Sequence, residues 1–395
     1  MSNSVFSKLR LKLQVMLSFL VIAALLGFSL RLIHAGVISA NFKHILHTHS
    51  HIVLLGWLYN AVVVILQYSI FKKEEGPMNR IFWLSQLTFL GMMLSFPFQG
   101  YAFASITFST LYLFCSYALV YYLFKYSKTV ANKNVGSLIK WSGVYLVLSS
   151  FGPFSLGFIM AKGLGDTFWF NLSIYWFLHF LYNGFFALIV FAFILSRIKS
   201  ENYQKLISRL MIFSVLPLYG LSVLWLSPNN SVYVIAFLGA LFQFVAFALL
   251  LANKGLKSLF TTFWPKTLLK LAMVSYGLKM IFQVASVLPF IQDFLTETVS
   301  YAVIGFIHLV MLGFFTLFVL AVFIESQWIK ISREVSIGLI CIILGILLSE
   351  SFLFGQSIAV FYSLHFMPNY FEWLAAVSSL MPIGFALLLW MLFKK

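Results

Sequence analysis

Apolar residues in this chain run on for about twenty positions at a time, break at a short polar or basic stretch, and resume. About twelve such stretches can be drawn, at 14–36, 47–71, 81–103, 104–126, 138–161, 169–196, 208–226, 231–252, 266–288, 300–324, 335–357 and 371–392. A membrane-crossing helix needs roughly 20 apolar residues at about 1.5 Å rise each. Backbone in lipid must satisfy its own hydrogen bonds, and runs of this length do so as helices rather than as a barrel. The pattern predicts an all-α fold, a polytopic membrane bundle of about 12 transmembrane helices. The third and fourth stretches abut, which places a tight turn near Gly100.

Composition agrees. Hydrophobic residues make up 62% of the 395 residues and charged residues 9%, against roughly 25% charged in soluble domains. The formal charge of +16 raises nucleic acid as a partner, but its placement argues for topology instead. If the N-terminus with Lys8, Arg10 and Lys12 is cytoplasmic, every even-numbered loop should be basic. Those loops carry Lys72, Lys73 and Arg80; Lys125, Lys128, Lys133 and Lys140; Arg197, Lys199, Lys205 and Arg209; Lys254, Lys257, Lys266 and Lys270; and Lys330 and Arg333. The tail adds Lys394 and Lys395, the outer loops hold Lys43 and Lys162, and Arg31 and Lys279 fall inside spans. The expectation is therefore a lipid bilayer as solvent, a bacterial-type inner (cytoplasmic) membrane, both termini cytoplasmic, and no nucleic acid. The basic start and apolar run resemble a signal peptide, but the run continues past Ala24 to Leu30, which predicts a retained first helix. Cys115 and Cys341 fall within spans, and no C-x-x-C-H motif for covalent haem occurs.

Three spans share a motif. The second reads His51-Ile-Val-Leu-Leu-Gly56-Trp57, the sixth His179-Phe-Leu-Tyr-Asn-Gly184-Phe185, the tenth His308-Leu-Val-Met-Leu-Gly313-Phe314. The copies stand about 130 residues apart, four spans each time, dividing one integral membrane domain into repeats of about 1–130, 131–258 and 259–395. All three motif helices run inward, so each imidazole enters from the outer face, at about 6, 15 and 12 Å along its helix. The glycine removes bulk a turn deeper, where a flat ligand or a neighbouring helix can approach.

All eight histidines, His34, His44, His47, His49, His51, His179, His308 and His365, fall in the outer half. Ionisable groups inside a bilayer are costly and point to function, and neutral imidazole is the commonest metal ligand. His44, His47 and His51 share a helix face by i, i+3, i+7 spacing, with His49 pointing elsewhere. Metal or haem ligation by His51, His179 and His308 stands against interhelical hydrogen bonding, and a polar cap at the membrane surface is the other reading of His44–His49. Tyr182 and Asn183 lie on the face of His179. Arg31 suits a haem propionate or a lipid headgroup. Glu350 and Lys279 are intramembrane charges that can pair, carry protons or hold propionates.

Twelve helices, threefold repetition in fours, and His on helices 2, 6 and 10 together resemble the haem–copper oxidase subunit I fold. The NnrS-type haem–copper membrane proteins, associated with nitric oxide stress, are similar in kind. The segment His49-Ser-His51-Ile-Val-Leu-Leu-Gly56-Trp57 resembles the H-x-H…G-W haem-ligand helix of C-type oxidases, here on helix 2. The resemblance implies haem b ligated by His51 and His308, with Arg31 near a propionate. It also implies a further ligand at His179 for a second haem or a copper ion, with His47 and His49 as additional metal-ligand candidates. Helix 7 lacks the paired His that copper takes in that family, and helix 10 carries one His where the family has two, so a complete terminal oxidase is not expected. The implied function is electron transfer or a nitric oxide or small-gas response, with a respiratory or redox partner protein. Alternatives are a metal-ion or small-solute transporter capturing its cargo at the outer His site, or an assembly subunit without a cofactor.

Overall fold

In a computed structural model, residues 3–73, 76–199, 201–364 and 367–394 are described, the side chains at 3, 4, 299 and 300 excepted. His365 lies outside the described residues. The described chain is helical, without strands, and contains 12 helices long and apolar enough to cross a membrane. They are α1 (Val5–His34), α2 (Phe42–Ile70), α3 (Pro77–Gln99), α4 (Phe103–Ser127), α5 (Lys133–Ala161), α6 (Phe168–Arg197), α7 (Gln204–Leu226), α8 (Asn230–Ala252), α9 (Phe263–Ala285), α10 (Tyr301–Glu325), α11 (Arg333–Phe361) and α12 (Tyr370–Lys394). Each overlaps one stretch drawn from the sequence.

Local chemistry sets the helix ends. Asn132 accepts from the backbone N–H of Asn134 at 2.9 Å and Val135 at 3.3 Å, capping α5. Ser332 accepts from Val335 N–H at 3.2 Å and caps α11. The α3–α4 turn falls at Gly100, whose φ of +60° favours a residue without a side chain. In α7 the chain tightens into 3₁₀ geometry over Tyr219–Leu226, just after Pro217, which lacks an N–H to bond back.

The packing repeats every four helices. Helix α2 lies against α1 and α3, α6 against α5 and α7, and α10 against α9 and α11. Helices α3–α4, α7–α8 and α11–α12 form hairpins, and α4–α5, α8–α9 and α12–α1 join the outer ring. The last junction is pinned where Arg10 Nε and Gln14 Nε2 donate to Leu392 O at 2.8 and 2.9 Å. Both ends of the chain therefore lie at one end of the bundle, here the terminal end. The opposite end is the distal end.

Burial separates centre from ring. The best apolar windows of α2, α6 and α10 are 89% buried, whereas those of the other nine helices are between 33 and 44% buried. Leu58 and Val62, Phe186 and Val190, and Phe315 and Val319 meet where the three central helices converge and plug the axis with apolar side chains. Across it Trp57 Nε1 donates to Thr316 Oγ1 at 3.0 Å.

The motif glycines seat each central helix on the first helix of its unit. A Cβ at Gly56 would lie 2.9 Å from Phe19 Cγ of α1, at Gly184 2.8 Å from Tyr145 Cγ of α5, and at Gly313 2.7 Å from Ser275 Oγ of α9. Of the two uses the sequence leaves open for these glycines, helix approach is the one seen. One basic residue counted with the N-terminal charges is buried. Lys12 is wholly buried, donates to Gln67 Oε1 at 2.7 Å, and sits 4.7 Å from the Phe82 ring centre. Helix α1 begins earlier than its apolar run, so this lysine is carried inside the bundle.

Two outcomes follow from this packing. Gly184→Leu forces α5 away from α6 and should lower stability by roughly 1–3 kcal/mol, read as a fall in the detergent-solubilised melting temperature. Thr316→Val leaves the buried Trp57 indole N–H unpaired and should cost about 1–3 kcal/mol. In a double-mutant cycle with Trp57→Phe, the two losses should not add.

Candidate functional site

Each motif histidine is the last α-helical residue before a π-helical turn. These turns span Ile52–Tyr59 after His51, Phe180–Phe186 after His179 and Leu309–Thr316 after His308. A π turn inserts an extra residue per turn, is rare, and frequently marks a functional position. In α10 it is closed by Thr316 Oγ1 donating to Met311 O at 2.9 Å. The same distortion at the same place in three helices means that the motif specifies a backbone feature as well as a side chain.

The three imidazoles do not meet. His51 donates from Nδ1 to His47 O at 2.8 Å and stacks on Phe96, with 4.5 Å between ring centres. His47 packs on Tyr101 at 4.6 Å, and His44 Nδ1 faces Pro97 O at 3.3 Å. These three histidines thus share the α2 face that looks onto the distal end of α3. His179 is buried and held on both nitrogens. Its Nε2 donates to Val215 O at 2.8 Å, and its Nδ1 accepts from Asn183 Nδ2 at 3.2 Å. The Asn183 on its face thus orients the ring, and neither nitrogen is spare for a metal.

His308 lies elsewhere, beside His49 and Arg31, both within its electrostatic reach. His49 points away from His51, as a two-residue step on a helix requires. Its Nδ1 donates to Ala23 O of α1 at 2.8 Å, which fixes the tautomer and leaves Nε2 as the unprotonated nitrogen. Its ring lies over Gly27, where a Cβ would come within 2.9 Å of His49 Cε1. Gly27 therefore makes room on α1 for the ring to lie flat.

Arg31 is the hub of this distal compartment. His49, His308, Glu350 of α11 and Tyr370 of α12 all lie within its electrostatic reach. Glu350 is only 8% exposed, and neither of its carboxylate oxygens has a hydrogen-bond partner among the described residues. The Arg31 guanidinium likewise forms no hydrogen bond or ion pair with a described residue. Buried polar groups are normally paired, and buried charges almost always are. Of this set Glu350 is buried, while Arg31, His49 and His308 are partly exposed, and the last two lie with Glu350 within the electrostatic reach of Arg31. His34, at the lip, stacks on Phe371 at 5.4 Å and meets Phe42 at 4.6 Å.

The symmetry-related spaces differ. Between α2, α3 and α4, the rings of Tyr59, Phe89 and Tyr112 fill the interior, with centres 5.3 to 6.0 Å apart. Among the described residues, no three His, Cys, Asp or Glu side chains converge to hold a metal ion. A haem asks less of the protein, because the porphyrin supplies four nitrogens and the chain one or two axial ligands. His49 and His308 are two imidazoles on different helices within each other's electrostatic reach.

The sequence pairs His51 with His308; the structure sets the His51 ring on Phe96 and Tyr101, and it is His49, packed on Ala23 and Gly27 of α1, that lies within the electrostatic reach of His308. His49 and His51 sit in one H-x-H step, and only the position of α1 decides which of them packs against it. The signal that would have found it is Gly27, the small residue one helix away. The link between Glu350 and Arg31 carries no sequence signal, since α11 and α1 meet only through ring closure. Compared with known proteins, the chain matches no protein-family model and no curated protein.

Proposed function

We propose that this chain is a haem-binding membrane protein of haem–copper oxidase-like fold, working in electron transfer. The reading rests on the Glu350 carboxylate, unpaired among the described residues and near Arg31, with His49 and His308 within electrostatic reach of the same guanidinium, set in a twelve-helix frame whose central helices are α2, α6 and α10. His49 and His308 would hold a b-type haem, which would supply a one-electron couple. The Nδ1–H bond of His49 to Ala23 O keeps that ring oriented and its Nε2 basic. Arg31 would take a propionate, and Glu350 balances the guanidinium from the α11 side. Two axial imidazoles favour electron transfer over gas binding. The nitric oxide or small-gas role implied by the resemblance needs an open iron position, which this ligand set does not provide.

Copper at His179 is not part of the proposal, because both ring nitrogens are engaged by protein. Basic loops at the terminal end support a cytoplasmic-side placement of both termini in a bacterial-type inner membrane. A redox partner would then approach the distal face, close to Arg31.

Expression with excess haem and purification in detergent tests the ligand assignment. Wild-type protein and His51→Ala should carry haem. His49→Ala and His308→Ala should lose most of it, and Arg31→Ala should weaken retention about tenfold, the scale of one charge-assisted hydrogen bond. Haem content unchanged in both His49→Ala and His308→Ala would remove this assignment.

A further inference from the structure

A second buried charge lies apart from the distal cluster, in the space enclosed by α6, α8, α9 and α10. Lys279 of α9 is 1% exposed. Its Nζ donates to Gln243 Oε1 of α8 at 3.2 Å and to Gln283 Oε1, one turn along α9, at 3.0 Å. The Tyr276 ring centre lies 5.1 Å from the same nitrogen. Gln243 is completely buried, and its Nε2 has no hydrogen-bond partner among the described residues.

The hydrogen-bonding capacity left over is of one kind. An ammonium has three N–H groups, of which the two glutamine oxygens take two. The amide of Gln243 adds two more N–H groups, both unmet. Both glutamine oxygens already face the lysine, so the spare groups on Lys279 and Gln243 are donors. Charge points the same way. Lys279 forms no ion pair among the described residues, and His179 is the ionisable group it reaches. Arg31, by contrast, has Glu350 within reach. A buried cation without a carboxylate partner is costly, and a counter-ion relieves it.

We propose that Lys279 and Gln243 form an intramembrane binding site for a small monovalent anion, which completes the hydrogen bonding of both side chains and neutralises the lysine. The ammonium supplies charge and one N–H, and the Gln243 amide supplies the neighbouring N–H. Gln283 steers the lysine toward α8, and the Tyr276 face closes the site from below the ammonium. The site is independent of the haem proposal, since it shares no residue with the distal cluster.

Binding of radioactive chloride to the full-length protein in nanodiscs, in a chloride-free gluconate buffer, tests this directly. Wild-type protein should bind chloride saturably, at about one ion per chain, with displacement by nitrate. Gln243→Leu should weaken binding about tenfold, the scale of one hydrogen bond to a charged group. Lys279→Met should abolish it, and Lys279→Arg should retain it. Lys12→Met, which removes the other buried lysine, should leave it unchanged. Haem content, measured on the same preparations, should not follow these substitutions. The proposal is overturned if wild-type protein shows no saturable chloride binding. It is equally overturned if folded Lys279→Met or Gln243→Leu binds chloride as the wild type does.

Discussion

Three helices of this bundle touch almost no lipid. Enclosure of α2, α6 and α10 by the other nine means that every polar atom on them must be satisfied by protein or by something the protein holds. Most are. Asn60 donates to Gly56 O at 2.7 Å and exchanges two 3.0 Å hydrogen bonds with Gln86. Trp57 finds Thr316 across the axis, and His179 is matched on both nitrogens. The groups left without a partner among the described residues include Tyr59 Oη, Asn183 Oδ1, Gln243 Nε2 and, in the distal compartment, both carboxylate oxygens of Glu350. That compartment places Arg31 and Glu350 on the surrounding ring and His49 and His308 on central helices, with the Glu350 carboxylate unpaired and His49 bonded through Nδ1 to Ala23 O. Glu350 is nonetheless distinct among the buried groups without a partner, because it is a carboxyl group and both its oxygens are unmet, and an unmet buried group costs about 1–3 kcal/mol or more.

The frame is threefold, but the chemistry placed in it is not. The space among α2, α3 and α4 is filled with aromatic rings, that among α6, α8, α9 and α10 is organised around Lys279 and its two glutamines, and the distal compartment holds ionisable groups about Arg31. What repeats is the histidine, the π turn that follows it, and the glycine that seats the helix. The repeated elements build the scaffold, whereas the residues that differ between units decide what each space can bind. His179 illustrates the division, since its place in the motif is equivalent to that of His308 but its nitrogens serve α6–α7 packing.

The spans were legible in the sequence because membrane insertion writes itself into hydropathy and loop charge, and the helix-by-helix match of α1–α12 reflects that. The special status of α2, α6 and α10 was legible through their shared motif, and so was the common face of His44, His47 and His51. Which member of the His49–Ser50–His51 step packs on α1 was not, because that depends on the space left by Gly27. Nor was the burial of Lys12, which precedes the first apolar run. Long-range pairs such as Arg31 with Glu350, or Lys279 with Gln243, join helices from different parts of the chain, and no periodicity announces them.

The central claim is that two imidazoles from α2 and α10 converge on one haem beneath the distal surface. Low-temperature electron paramagnetic resonance of the oxidised, haem-loaded protein measures this most directly. The account predicts a low-spin ferric signal of the bis-imidazole type that cyanide does not alter and that disappears in His49→Ala. A high-spin signal in the wild type, ready displacement by cyanide, or protein that takes up no haem at all would contradict it.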